Sequence, residues 1–220
     1  SRSSGRPHLR GFKLEKDVLT TQQQKFVDDF IKRFNKRTAK SKQYAADSKN
    51  NCADWINSLG FRLSLKEIAY PIVMDHCFGS KFVDLDGNEY VDYAMGYGVG
   101  FFGNNVDFIK DSIQKQLNKG FELGPQNHLI GEVSSIISEL TKVDRVSYCN
   151  SGTEAIMVAL RLARTATKRQ KIVFFAGSYH GTFDGILAFP GQSGYGAEPQ
   201  VIGTPDSMIA DILILPYGDE

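Results

Sequence analysis

The chain is 220 residues long and 41% hydrophobic, enough for one substantial core or two small ones. A net charge of +1 gives no global argument for nucleic acid. No apolar run approaches the roughly 18 residues of a membrane span, so neither nucleic acid nor membrane is an expected partner. Three cysteines (Cys52, Cys77, Cys149) are odd in number and widely spaced, with no CxxC pair. That excludes a disulfide framework and points to a reducing, cytoplasmic setting.

The charge is uneven along the chain. Residues 1–50 hold 13 Lys+Arg against 5 Asp+Glu, a net +8, and the remainder holds 13 against 20, a net −7. A basic leading segment reads as solvated linker or docking surface before it reads as an RNA or membrane contact. The start, SRSSGRPHLRGFKL, lacks an apolar h-region and is not a secretory signal; residues 1–18 read as linker. Thr21-Gln22-Gln23-Gln24 offers a capping box, and Phe26, Val27, Phe30, Ile31 and Phe34 then fall on one helical face, ending in the basic run Lys36 to Lys42. Residues 43–60 read as polar and irregular, with Trp55 as an anchor, and a short helix is expected over Leu63 to Ala69.

From Pro71 the texture is β. PIVMDHCFGSKFVDLDGNEYVDY holds two short strands joined by a turn at Asp86-Gly87-Asn88. Asp84, Asp86, Glu89 and Asp92 lack the layout of a calcium loop, and turn chemistry accounts for them, so no metal is expected. In MGYGVGFFGNN, Gly98-x-Gly100-x-x-Gly103 matches the dinucleotide fingerprint, with Glu122 about 20 residues on. A Rossmann oxidoreductase would need that acid at the end of a second buried strand, and NKGFELGPQNHLIGE carries none. A helix is then expected over Ile130 to Leu140.

Arg145 to Gly181 organises the chain. Arg145 to Cys149 is a strand-like run that ends at Asn150-Ser151-Gly152. From Thr153, Ile156, Ala159, Leu160 and Ala163 recur at helical spacing. KIVFF (171–175) is a second strand, closed by Gly177. A strand that delivers Ser-Gly-Thr onto a helix N-terminus makes an anion site, because the first N–H groups lack partners and the dipole is positive there. Ser151-x-x-Glu154 is equally an ordinary capping box, and Tyr179 and His180 are equally a buried aromatic and a core histidine. Residues 189–205 are Gly- and Pro-rich, and Met208 to Pro216 (MIADILILP) reads as a third buried strand.

NSGTEA, RLARTAT and KIVFFAGSYHG together resemble the class III aminotransferases, which use pyridoxal 5'-phosphate (PLP), the glutamate-1-semialdehyde aminomutase-like enzymes among them. The resemblance covers roughly residues 61–220. It implies an α/β chain of PLP-dependent transferase fold type I (aspartate aminotransferase-like), present in part. Residues 1–60 would be a basic interdomain linker with one amphipathic helix, 61–103 the N-terminal β-hairpin segment of the small domain, and 104–220 the first half of the PLP-binding large domain. Ser151, Gly152 and Thr153 would form the phosphate cradle, Tyr179 would stack on the cofactor ring with His180 beside it, and Tyr97 would line the substrate pocket. Asn104, Val106 and Asp107 replace the His, His and Pro of the family's pattern.

LTTQQQKFVDDFIKRFNKRTAKSKQYA, SLKEIAYPIV, MGYGVGFFG, GPQNHLIGEV and AGSYHGTFDG are further similar to aminotransferase domains embedded in polyketide and nonribosomal peptide synthetases. There the resemblance implies transfer of an amino group from an amino acid to a β-ketoacyl thioester on an acyl or peptidyl carrier protein, beside neighbouring synthetase domains and in a homodimer. It also implies that the lysine holding the cofactor as a Schiff base, and the acid for its ring nitrogen, lie beyond the equivalent of residue 220. No Lys or Arg follows Lys171, and Lys168 and Lys171 are expected to face solvent. The chain by itself is therefore expected to lack a catalytic residue and to be inactive. The alternatives are a non-catalytic carrier-docking module built on the basic helix, or the Rossmann reading through Gly98, Gly100 and Gly103.

Overall fold

The computed structural model describes residues 18–53, 61–121, 124–191, 196–201 and 203–218. The leading linker, Trp55 and Glu122 lie outside the described residues. The chain forms two compact units that divide between Pro125 and Gln126.

The first unit opens with α1 (Thr21–Arg37). Its capping box sits one residue earlier than expected: Thr20 is the extended residue, and its hydroxyl accepts from Gln23 N at 3.2 Å while Gln23 Oε1 accepts from Thr20 N at 2.9 Å. Thr38 interrupts the helix at φ −123°, ψ 38°, donating its hydroxyl to the Phe34 carbonyl at 2.8 Å and pairing with Tyr70 Oη at 2.8 Å. A second helix, α2 (Ala39–Ser48), then takes in residues 43–48, the beginning of the stretch expected to be irregular. Its cap comes from far along the chain. The Asp86 carboxylate accepts from Lys40 N at 2.9 Å and from Ser41 N at 3.3 Å, satisfying donors that a helix start otherwise leaves open. Asn88 Nδ2 donates to the Arg37 carbonyl at 2.7 Å, closing the end of α1 from the same turn.

A 3₁₀ helix, Leu63–Ile68, stands where a short helix was expected. Three strands follow rather than two: β1 (Met74–Phe78), β2 (Lys81–Asp84) and β3 (Glu89–Val91), an antiparallel meander in that order. The expected turn at 86–88 joins β2 to β3, with Gly87 at φ +84°. Gly79 and Ser80 make the extra turn, which alternation alone did not mark. At the base of the 86–88 turn, Asp84 is 1% exposed. It accepts from Asn88 N (2.8 Å), Asn88 Nδ2 (2.9 Å), Tyr90 Oη (2.8 Å) and Asp86 N (3.0 Å). Burial pushes this carboxyl up, but the donors from Asn88, Tyr90 and Asp86 together hold it below the ordinary carboxylate range.

The glycine fingerprint has a different purpose from nucleotide binding. It follows an antiparallel meander, not a parallel strand, and opens into a 3₁₀ turn (Met95–Gly98) with left-handed Met95, Gly96 and Tyr97. A Cβ on Gly103 would stand 3.0 Å from the Gly79 carbonyl, and one on Gly100 3.2 Å from the Met95 carbonyl. Both glycines allow backbone to cross backbone. Asn104 pairs with Gly79 in both directions, at 2.6 and 2.9 Å, and closes the loop at its base. The Rossmann alternative lacks its βαβ frame here. α3 (Asp107–Lys119) follows and ends at Gly120.

The second unit contains α4 (Leu129–Thr141), α5 (Gly152–Thr167), β4 (Ile172–Phe175), β5 (Ala188–Pro190), β6 (Ala197–Pro199), α6 (Asp206–Ile209) and β7 (Ile212–Leu215). β4 and β7 pair in parallel, Ile172 opposite Ile212 and Phe175 opposite Leu215. Met208 and Ile209, expected within the last strand, instead belong to α6, because extended Pro205 and then Asp206 start a helical turn. The Gly- and Pro-rich excursion contains an antiparallel pair, β5 with β6. Arg145–Cys149 is not a ladder strand: no described residue offers it strand pairing, and Tyr148 is tied through its hydroxyl to Ser134 Oγ at 2.9 Å. Buried Ile209, Ile212 and Ile214 pack with Ile172, Phe174, Ala188 and Ala197, and this cluster holds the β4–β7 pair under the candidate site. Among the described residues no helix is long and apolar enough to cross a membrane, and no group of three His, Cys, Asp or Glu converges.

Candidate functional site

Ser151 is the N-cap of α5, extended at φ −146°, ψ 159°. Its Oγ accepts from Glu154 N at 3.2 Å, and Glu154 Oε2 accepts from Ser151 N at 3.2 Å and Asn150 N at 2.7 Å. The capping box therefore exists as expected, and it leaves the anion site open. Glu154 N is taken by Ser151 Oγ and Ala155 N by the Ser151 carbonyl, while the N–H groups of Gly152 and Thr153 have no intrahelical acceptor. A Cβ on Gly152 would meet nothing within 4 Å, so no protein neighbour demands glycine there. The absence of a side chain keeps the helix end open to a group from outside. Each hydroxyl can donate as well as accept. Ser151 Oγ has spent an acceptor site and keeps its hydrogen for an anion.

A turn after β4 returns the chain to this helix end. Ala176 N donates to the Leu215 carbonyl at 2.8 Å and Ser178 N to the Phe175 carbonyl at 3.1 Å, and Gly177 takes φ +84°. His180 stacks on Phe174 of β4, ring centroids 4.7 Å apart at 29°. Its Nε2 is buried and has no hydrogen-bond partner among the described residues. Gly181 is buried at φ +113°, and Thr182 N donates to Thr153 Oγ1 at 3.2 Å. Tyr179, between these fixed neighbours, is 77% exposed. Of the two readings offered for Tyr179 the buried aromatic fails, and the exposed ring lies two residues before Gly181, which rests against Thr153 at the helix end.

The structure thus brings together five of the six site residues expected from sequence: Ser151, Gly152, Thr153, Tyr179 and His180. Tyr97 belongs to the first unit, where it is fully exposed and left-handed at φ +57°. Sequence reasoning missed Phe174 as the surface under His180, and Gly181 and Thr182 as contacts of Thr153; the glycine following His180 was the available signal. Lys168 and Lys171 are exposed, as expected.

The family model for "Aminotransferase class-III" matches residues 64–220. The chain belongs to this family. Among curated relatives, it is 39% identical over 158 residues to glutamate-1-semialdehyde 2,1-aminomutase 1 of Listeria welshimeri, covering 69% of this chain and 36% of that protein. Among solved structures it resembles an omega-transaminase from Sphaerobacter thermophilus, with a TM-score of 0.64 at 30% identity over 68% of this chain and 36% of that one. A glutamate-1-semialdehyde aminomutase variant from Pseudomonas aeruginosa PAO1, in complex with PMP, gives a TM-score of 0.74 at 20% identity over 91% of this chain and 44% of that one. The fold is therefore that of the PLP-dependent fold type I transaminases, present in part. This class-III aminotransferase chain spans about a third of the curated relatives it matches.

Proposed function

We propose that this chain is the front part of a PLP-dependent aminotransferase domain of a hybrid polyketide/nonribosomal peptide synthetase. Its substrates would be an amino-acid donor and a β-ketoacyl thioester carried on an acyl or peptidyl carrier protein. The observation that carries the cofactor part of this reading is the junction just described, an open helix N-terminus with Ser151, Gly152 and Thr153 joined to the turn that bears an exposed Tyr179. The synthetase part rests on the sequence resemblance alone. The junction fits a flat cofactor with a phosphate tail, and the unpartnered His180 Nε2 fits a site that is completed by groups from outside the described chain.

Bound PLP would supply an electron sink through which an amino group leaves one carbon and is handed to another. The residues here bind and orient. Gly152 and Thr153 N–H, with the Ser151 and Thr153 hydroxyls, would hold the phosphate, and the α5 dipole favours its charge. Tyr179 would cover one face of the ring and keep water from it. Asn104, at the position where the family pattern has histidine, is committed to the base of the 93–103 loop, whose Tyr97 would face the acyl chain. The cofactor lysine and the acid for the ring nitrogen would come from a segment outside this chain, and the assembly would be a homodimer in a cytoplasmic synthetase.

The test uses the full-length protein. It is loaded with PLP, reduced with borohydride and read by intact mass, then assayed with β-ketoacyl groups on a carrier protein and on a free thioester. One cofactor adduct and amination preferring the carrier-bound substrate are expected. Absence of any adduct overturns the cofactor assignment, and equal use of the free thioester overturns the synthetase role.

A further inference from the structure

Two elements of the site are distant in sequence, and they meet at Thr153. Thr153 is the second residue of α5, and its Oγ1 accepts the Thr182 N–H at 3.2 Å across 29 residues of chain. Between the partners, Gly181 lies flat against the helix start. A Cβ there would come 2.5 Å from Thr153 Oγ1, 2.9 Å from Thr153 Cα and 3.0 Å from Thr153 Cβ. The threonine hydroxyl could swing aside, but the backbone Cα could not. Any L-residue would also be strained at φ +113°. On its other side the turn is held by the His180–Phe174 stack at 4.7 Å. The turn is therefore clamped from both sides, by β4 and by α5, and the ring of Tyr179, immediately before the clamped residues, is 77% exposed.

We propose that Gly181 and Thr182 are positioning residues which, through Thr153, set the distance and tilt between the phosphate cradle and the face of Tyr179. The proposal rests on the cofactor reading above and adds a role to it. The hydroxyl of Thr153 has two tasks. By accepting from Thr182 N–H it spends an acceptor site on the turn, so its own hydrogen points to another acceptor, which at an open helix N-terminus is an anion. Phosphate binding and ring placement are then coupled through one oxygen. Thr153→Ser keeps that oxygen, Thr153→Val removes it at nearly equal volume, and Gly181→Ala pushes the turn away and crowds the Thr153 hydroxyl while leaving the Ser151 hydroxyl and the Gly152 N–H untouched.

Each variant is made in the full-length protein. Three quantities are measured: cofactor affinity, inorganic phosphate affinity by competition, and the visible circular dichroism of the bound cofactor at saturation. The last reports ring orientation, which a merely structural role would not move. Gly181→Ala is expected to weaken cofactor binding by about tenfold or more and to lower the dichroic band per bound cofactor by about half, with phosphate affinity weakened by a smaller factor because one cradle donor is disturbed and the others are kept. Thr153→Val is expected to lose phosphate affinity and band together, and Thr153→Ser to restore both. Ser151→Ala, which disturbs the cradle and the α5 cap but not the turn, should weaken binding without altering the band.

Gly181→Ala with wild-type affinity and band overturns the proposal. So does a Thr153→Val protein that behaves like Ser151→Ala, which leaves Thr153 a phosphate donor only. If Gly181→Ala fails to fold, the Thr153 pair decides. Should Ser151→Ala and Thr153→Val both leave phosphate and cofactor binding unchanged, the cradle reading itself fails. That outcome is distinct from a cradle that works without the strut.

Discussion

Replacing Asp84 with alanine removes the most heavily used buried acceptor in the first unit. The carboxylate is 1% exposed and receives Asn88 N and Nδ2, Tyr90 Oη and Asp86 N at 2.8 to 3.0 Å. Hydrogen bonds to a charged group are each worth about 1.5–3 kcal/mol net, and a buried donor left unpaired costs about 1–3 kcal/mol. Asn88 and the Asp86 backbone can turn partly to water, so the four are not additive, and a loss of about 3–5 kcal/mol is expected. The loss should spread, because the turn that Asp84 organises also carries Asp86 and Asn88, which close α2 and α1. Urea unfolding followed by far-ultraviolet circular dichroism reads the free energy, and amide exchange at Lys40 and Ser41 reads the release of α2. A loss under about 1 kcal/mol, with those amides still protected, would refute the reasoning.

The sign of the pH dependence follows from the same carboxyl. Its folded pKa lies below the ordinary value, so its contribution is fully present above the unfolded carboxylate range and is lost as pH falls through the folded value. Wild type should lose stability on acidification below about pH 4 more steeply than Asp84→Asn, and parallel acid profiles of the two proteins would count against this. Ser151→Ala should cost about 1 kcal/mol from its lost cap and, by the cradle reading, weaken PLP binding about fivefold, measured by equilibrium titration. Tyr179→Phe should keep cofactor affinity within about twofold and Tyr179→Ala should lose about tenfold, since the stacking face matters and the hydroxyl has no assigned partner. Ile212→Ala, at 2% exposure in the centre of the β4–β7 packing, should destabilise by about 2–5 kcal/mol in the same urea assay.

The Arg145–Gly181 stretch shows which parts of this protein are local. The strand Ile172–Phe175 stands where expected, though it pairs with β7 far along the chain. The α5 start and its box between Ser151 and Glu154 depend on neighbours within a few residues and form where the sequence placed them. The same holds for the 86–88 turn. Interactions between distant segments were not legible. The Thr20 cap is local, yet two threonines compete for it, and only the observed backbone selects one. α2 resembled an irregular polar run because its cap, Asp86, lies 46 residues away. Arg145–Cys149 has strand composition, but a parallel strand exists only where another strand accepts it. The glycines at 100 and 103 spelled a nucleotide motif, and a glycine that lets a chain cross its neighbour is spelled the same way.

By itself, then, the sequence carried the resemblance to the family along most of its length, and it determined the helix that offers its N-terminus to an anion and the residue types around it, because those last are matters of spacing within one or two turns. Tertiary structure alone decided that Gly181 rests against Thr153, that His180 rests on Phe174, and that Tyr179, just before them, is left exposed. A contact across 29 residues costs loop-closure entropy and forms only when packing on both sides repays it. That balance belongs to the folded chain as a whole.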